Sequence, residues 1–460
     1  MFDHYLFLIA SFYISIHSCF AKSENENSFQ LVVYNVENLF DVDGISLYND
    51  YKPEMYGRKE LEKKLDKICD VLKKIGGNTG PDIILFQEIE VDRTPDKFLS
   101  ATEELLKELE LNGLGPYYFS LGYNTLDAPE KWPAVHCLTV SKFPISKKRL
   151  HPLNNARPIL ETTVTINNKP LTLFNNHWKS GASSQKMEVF RLQNAEVLRN
   201  RITSLLQENP STDFIVGGDL NSHYNQSTVY QSEMNKTGIN DILLSNAIEP
   251  GQENIGDSLY NLWHEIPPEK RGSDAWKGKW GTLMHILLPA SLYDAQGINY
   301  ITDSFRVENH AGLNEIEGLN IPFKWSNELN GFGASDHFPL SARFKISNER
   351  TEKGNHFRQV ESEARKIDYN QASMSAQPWK NSYLKPKNFG RTYEFTGIIT
   401  KQRPLTLRLD QREFGIYSHD PDTRDFLFSR KVGESITTSG YLSRYRGQWQ
   451  FIIAEKNWIK

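Results

Sequence analysis

Between residues 30 and 344 the chain alternates short apolar runs with longer amphipathic ones. This rhythm constrains the fold more than any other feature. Residues 30–39 open as a β-branched run, and 81–88 (PDIILFQE) and 213–219 (DFIVGGD) hold apolar centres that end in polar residues. Further runs lie at 136–140, 162–166, 171–175, 283–288 and 338–344. Apolar runs of this length without strict alternation describe strands covered on both faces. Between them, residues 59–75 place Leu61, Leu65, Ile68, Leu72 and Ile75 at spacings of three and four and stop at Gly76-Gly77, the pattern of an amphipathic helix. Residues 97–110 and 185–206 predict two more helices. Asn167-Asn168-Lys169 predicts a hairpin turn. Helices interleaved with strands, some strands also paired in hairpins, predict a layered α/β domain with mixed sheets.

Residues 347–388 are polar and charged, and predict a linker or a peripheral helix. From 389 to 460 short alternating strands return (TGIIT, LTLRL, ESITTSGYL, QWQFIIA), which predicts a small all-β, OB-like barrel. The 460 residues hold 53 basic and 57 acidic side chains, net −4, which excludes a chain coated in positive charge for packaging DNA. The charge is uneven: residues 391–460 carry 12 basic against 8 acidic side chains.

Residues 5–16 form a 12-residue apolar run, too short to span a bilayer, followed by small residues ending at Ala21. This predicts a secretory leader over residues 1–21 and export to the periplasm or beyond, with an N-terminal tether as the alternative. No Lys or Arg precedes Lys22, a departure from the usual leader. The cysteines beyond it, Cys69 and Cys137, lack the spacing of a zinc site and predict two buried thiols.

Polar side chains cluster where the apolar runs end. They are Asn35 and Glu37, Glu88, Asn176 and His177, Asp219 and Asn221, and Asp336 and His337. Each alone is a turn or a cap. Five such ends in one domain predict a crevice at one rim of the sheets. The ordered set Asn35, Gln87-Glu88, Asn176-His177, Gly218-Asp219-Leu220-Asn221 and Ser335-Asp336-His337 resembles the endonuclease/exonuclease/phosphatase superfamily over residues 28–345, and the opening YNVENLFD resembles a bacterial branch of it. The resemblance implies a four-layer α/β sandwich, two mixed sheets face to face with helices outside, over residues 28–346. It also implies hydrolysis of a phosphoester with Mg²⁺ or Mn²⁺.

Residue chemistry points the same way. A hard cation held by carboxylate and amide oxygens neutralises a phosphodiester, and Glu88 leads a ligand set with Asn35, Glu37 and Asp336. The resemblance makes Asp219 the base that activates water. It also implies that His177 and His337 flank the phosphate, with Asn221 donating to its charged oxygens and Asn176, Lys179 and Ser180 as candidate substrate contacts. One departure stands out: the resemblance implies an aspartate that orients His337 where this chain has Met284. Asp274 or Asp294 replaces it, or His337 works unoriented, or the domain has become a binding module. Trp263, Trp276 and Trp280 with nearby Lys and Arg, and Arg403, Arg408, Arg444 and Arg446 among Tyr441, Tyr445 and Trp449, are candidate nucleic-acid surfaces or ordinary packing.

The expectation is an exported, monomeric nuclease acting on nucleic acid, with no stable protein partner. The alternatives are a phosphatase or phospholipase-type phosphodiesterase, and a non-catalytic nucleic-acid binder.

Overall fold

In the computed structural model, the structure describes residues 27–94, 98–248, 257–294, 296–349 and 353–460. The leader expected over residues 1–21 lies outside them.

The strands are β1 (Ser28–Leu39), β2 (Ile83–Glu90), β3 (Tyr118–Leu121), β4 (Val135–Ser141), β5 (Ile145–Leu153), β6 (Ala156–Ile166), β7 (Lys169–His177), β8 (Phe214–Asp219), β9 (Ser245–Asn246), β10 (Leu259–Asn261), β11 (Asp274–Trp276), β12 (Lys279–Gly281), β13 (Met284–Leu288), β14 (Ile298–Tyr300), β15 (Arg306–Val307) and β16 (Leu340–Ile346). The main helices are α1 (Arg58–Gly76), α2 (Ala101–Leu111) and α3 (Gln185–Glu208). Helix α2 starts on a capping box: Glu103 N–H donates to Ser100 Oγ, and Ser100 N–H to the Glu103 carboxylate. Among the described residues no helix is long and apolar enough to cross a membrane.

Two mixed sheets form. One runs β14-β16-β1-β2-β4-β3, with β15 beside β16, and the other β5-β6-β7-β8-β13-β10-β9. Leu31 and Val33 of β1 and Leu85 of β2 face Leu173, Ile215 and Ile286 of the second sheet, in one buried core. The alternate residues Val32, Tyr34, Ile84 and Phe86 pack outward against Leu61, Leu65 and Ile68 of α1 and Leu105 of α2. On the second sheet Phe174 and Val216 pack outward against Leu198 and Ile202 of α3. The four layers are therefore helix, sheet, sheet, helix, and continuous burial explains the unbroken apolar runs.

The two sheets approach closely at Gly217. A Cβ there would sit 2.8 Å from Leu85 Cδ1 and 3.0 Å from Val33 Cγ2. β1 lies parallel to β2, and β7 parallel to β8, so these four strands deliver their C-terminal ends in pairs. His177 stands opposite Asp219 across the second pair.

Thr392–Gln402, Leu405–Leu409, Arg412–Tyr417, Ser435–Tyr445 and Gln448–Ile452 close into a five-stranded barrel, with a helix, Pro421–Phe428, after the third strand. Its core includes Ile316 and Leu319 of the larger domain, so the two share packing. The segment expected as a linker is a strap. Glu361 bonds Tyr224 and Arg271, and Ile367 and Tyr369 are buried in the barrel core. Its apolar anchors are too sparse to show as a periodic pattern. Cys69 and Cys137 are buried and free.

Candidate active site

The four parallel strand ends meet in one polar cluster. Two irregularities aim it. The β1–β2 register shifts between Asn35 and Leu39, and the β2–β4 register shifts between Phe86 and Ile89. Inside these bulges Glu37 has φ +52° and Glu88 φ +68°, and Asn221, just past β8, has φ +48°. Such conformations cost about 1–3 kcal/mol each and persist only where the surroundings impose them. A bulge turns a side chain off the strand's own faces, which points Glu88 into the rim.

Asn35 lies at the centre. Its Nδ2 donates to Glu88 Oε1 at 3.0 Å and to Asp219 Oδ2 at 3.1 Å. His177 Nε2 lies 3.5 Å from Glu88 Oε1 and 3.7 Å from Asp219 Oδ2, and His337 Nε2 lies 3.7 Å from the same Asp219 oxygen. Asn221 N–H donates to Asp219 Oδ1 at 2.9 Å, and Asn221 Nδ2 to Trp178 O at 3.2 Å. Ser335 Oγ donates to Asn35 O at 2.7 Å, which ties the Ser335-Asp336-His337 segment to the end of β1. Glu88, His177, Asp219, Asn221, Asn35, Asp336 and His337, far apart in the chain, thus share one site.

One expected residue plays another part. The Asn176 amide donates to Phe174 O and Gly217 O and accepts from Trp178 Nε1 at 3.1 Å. It is wholly buried, so its expected substrate contact is corrected to a structural one. Adjacent strand residues point to opposite faces, and His177 holds the site face. Glu37, expected as a cation ligand, accepts from Trp325 N–H at 2.6 Å and pairs with Lys324 Nζ at 3.2 Å. Without an ion, Glu37 is a salt-bridged carboxylate beside Asp336. Lys179 reaches the site's edge, and Ser180 is exposed with no described contact to the cluster.

The charge balance is strained. Burial and the Asp336 charge push the Glu88 carboxyl above the ordinary range, and burial raises Asp219 against the opposing pull of His337. Burial and Asp336 push Glu37 up to about 8. Burial and the nearby Arg157 hold His177 well below its usual value, and so neutral. Burial would lower His337 too, but the Asp336 contact at 2.7 Å, then Asp219 and Asp274, raise it well above the usual value. Crowded, reluctant carboxylates are what a divalent cation relieves. Glu88, His177 and Asp219 offer donor atoms all within 4.8 Å of one another, and the donors are oxygen and neutral imidazole without thiolate. The residues fit a hard divalent ion. Asn35 turns Nδ2, not its oxygen, to Glu88 and Asp219.

Sequence reasoning missed the cations around the cluster. Lys64 of α1, buried, donates to Glu37 O at 3.2 Å and Ala334 O at 2.8 Å, and burial lowers it to about 8. A lysine within the apolar stripe Leu61, Leu65, Ile68 was its visible signal. Lys324 Nζ stands 4.0 Å from Asp336 and follows no motif. Arg157 donates to His177 O and Trp178 O and lines a groove of about 980 Å³. The groove starts at His177 and is lined by Lys131, Lys148, Arg149, Arg157 and Lys179 against one carboxylate, Asp127, with Tyr123 and Trp132 on its wall.

The tryptophan stretch mostly packs, whereas Arg403, Arg408 and Arg446 of the barrel are exposed. Trp263 is buried, Trp280 packs beside the barrel core, and Trp276 alone of the three is largely exposed. Arg444 pairs with Glu328 and lies over the Trp449 ring.

A family profile described as "Endonuclease/Exonuclease/phosphatase family" matches residues 30–345. No curated protein matches the chain. Among solved structures, truncated TDP2 of Caenorhabditis elegans is similar at 14% identity, covering 69% of this chain and 98% of that one, with a TM-score of 0.40. An endonuclease/exonuclease/phosphatase family protein of Leptotrichia buccalis matches at 14% identity, 69% and 99% coverage and a TM-score of 0.37. A beta toxin of Staphylococcus aureus matches at 16% identity, 68% and 99% coverage and a TM-score of 0.38.

Proposed function

The chain belongs to the endonuclease/exonuclease/phosphatase family of metal-dependent phosphoesterases, and from that premise we propose that it cuts the phosphodiester backbone of a polynucleotide with Mg²⁺ or Mn²⁺. The groove carries this reading. Five cationic side chains against one carboxylate lead away from His177, with room for several nucleotides. A small monoester needs no such track, whereas successive backbone phosphates do. The apolar run at residues 5–16 supports the further reading that the protein is exported.

The bound ion supplies charge neutralisation at the phosphate. The chain's own residues do the rest. The buried Asp219 carboxylate takes a proton from the attacking water, whose oxygen bonds to phosphorus as the ester P–O bond breaks. Asn221 N–H holds Asp219 Oδ1, which leaves Oδ2 on the side of His177 and His337. The His337 imidazolium and the Arg157 guanidinium face developing negative charge, and neutral His177 donates or accepts a hydrogen bond without repelling the ion.

The test is hydrolysis of plasmid DNA, RNA and a chromogenic phosphodiester by the purified protein, with and without Mg²⁺ or Mn²⁺. Asp219→Asn is expected to lower the rate by about 10²-fold or more. Equal rates in the variant would place the base elsewhere. Release of phosphate or phosphocholine from small or lipid substrates, with polynucleotides untouched, would favour the phosphatase or phospholipase-type reading.

A further inference from the structure

Met284 faces Asp219 across the β8–β13 pair and is fully buried in the sandwich core. A thioether there cannot orient an imidazole as a carboxylate does. His337 is nonetheless buried, with Nε2 lacking a hydrogen-bond partner and Nδ1 on Asp336 Oδ1 at 2.7 Å. The Asp336 side chain is 38% exposed and is itself a candidate ligand for the ion. The ring bond uses Oδ1, while Oδ2 faces Lys324; an ion that takes Oδ1 leaves the ring in need of another acceptor.

Asp274 stands in the right place. It forms an antiparallel bridge with His337, secured by Phe338 N–H donating to Ser273 O at 2.7 Å. Residues directly opposed in such a pair point their side chains to the same face, with Cβ atoms about 4.5–5.5 Å apart. The Asp274 carboxylate is buried, and its Oδ1 accepts from Ser273 Oγ and Leu283 N–H, both at 3.2 Å. Among the described residues Oδ2 accepts no hydrogen bond. The carboxylate rests on Gly281, where a Cβ would come within 2.1 Å of Oδ2, so the glycine makes its room. Asp294, the other acid near Met284 in sequence, accepts from Gln296 N–H and lies near Asp213, at the opposite end of β8 from Asp219. In this structure the His337 ring is turned to Asp336, and Asp274 does not touch it.

We propose that Asp274 is the positioning carboxylate for His337, accepting the ring N–H when Asp336 is engaged by the ion. It acts from the β11 hairpin strand in place of an acid at position 284. Asp274 touches neither phosphate nor ion. The kinetic part of this inference rests on the phosphodiesterase reading, and the spectroscopic part does not.

The experiment uses the full chain, labelled with ¹⁵N-histidine, in saturating Mg²⁺. The His337 ring signals are identified by their loss in His337→Gln. Asp274→Asn keeps the shape and the bonds to Oδ1. It is expected to shift those ring signals and to lower kcat on a chromogenic phosphodiester by about 10- to 100-fold, with KM within about twofold. Gly281→Ala, which displaces the carboxylate without removing it, is expected to do the same to a smaller degree. Adding Met284→Asp to Asp274→Asn is expected to recover most of kcat. His337 ring signals unchanged in a folded Asp274→Asn would overturn the proposal whatever the activity, as would a fall in kcat without that change. If no phosphodiester is cut by the unaltered protein, the functional reading fails, and the ring signals still decide the pairing.

Discussion

Lys131→Gln with Arg149→Gln removes two of the five cations of the groove, both solvent-exposed and neither held in an ion pair among the described residues. Each phosphate contact to a single strand contributes about −0.7 to the slope of log affinity against log salt. Five contacts give a slope of about −3.5, an affinity falling about 100-fold between roughly 50 and 200 mM salt. The double variant is expected to show a slope of about −2.1. The assay is fluorescence anisotropy of a labelled single-stranded oligonucleotide over a salt series, in an Asp219→Asn background so that the probe stays intact. Arg403→Gln with Arg408→Gln in the barrel is the control and is expected to leave the slope unchanged. An unaltered slope in the groove variant, or a reduced one in the barrel variant, would show that the backbone does not follow this groove.

Glu88→Gln is expected to weaken Mn²⁺ binding, measured by electron paramagnetic resonance, by about tenfold or more, because a carboxylate is the strongest oxygen ligand a hard ion finds here; a chelator should abolish hydrolysis in the unaltered protein and Mg²⁺ restore it. Asn176→Leu removes two bonds to buried carbonyls and the acceptor of the Trp178 indole N–H, so it is expected to cost about 3 kcal/mol in urea unfolding, while a substrate contact at Asn176 would instead raise KM in a fully stable protein. Burial alone would raise Glu161, but hydrogen bonds from His151 and Arg201 pull it down to about 2. Its stabilisation is therefore complete above pH 4.5 and is lost as pH falls toward 2; Glu161→Gln is expected to lower stability near neutrality by about 2 kcal/mol and to flatten the acid limb in pH-dependent urea titrations.

The strands were legible because both faces of each sheet are covered, so Leu31 and Val32, or Ile215 and Val216, had to be apolar alike. Their polar ends were legible for the converse reason: Glu88 and Asp219 are out of place in an apolar run unless the rim has a use for them. The side-chain directions were not legible. Period-two alternation separates Asn176 from His177, yet which of the two faces the rim depends on the β7–β8 register, a long-range property. The strap escaped notice because a few anchors such as Ile367 and Tyr369 hold it, without a period.

The bulges explain why the site itself resists a reading from spacing. Glu37 and Glu88 both have positive φ and both lie in bulges near the ends of parallel strands, yet the Glu88 carboxylate meets Asn35 and His177 while the Glu37 carboxylate meets Lys324 and Trp325. What separates them is where each register slips, and that slip is imposed by packing from outside the strand. Lys64 holds the backbone carbonyl of Glu37 against that of Ala334, so the path of the chain after β1 is set by a helix 27 residues further on. The same holds for the groove, whose cations come from the Lys131 turn, from β5, from β6 and from the residue two past β7. Chemistry at this rim is carried by residue types a sequence displays, and its geometry by contacts between segments that no local pattern encodes. Substitutions in α1 or in the Gly217-Gly218 pair should therefore lower kcat by displacing the reacting groups, although they remove none of them.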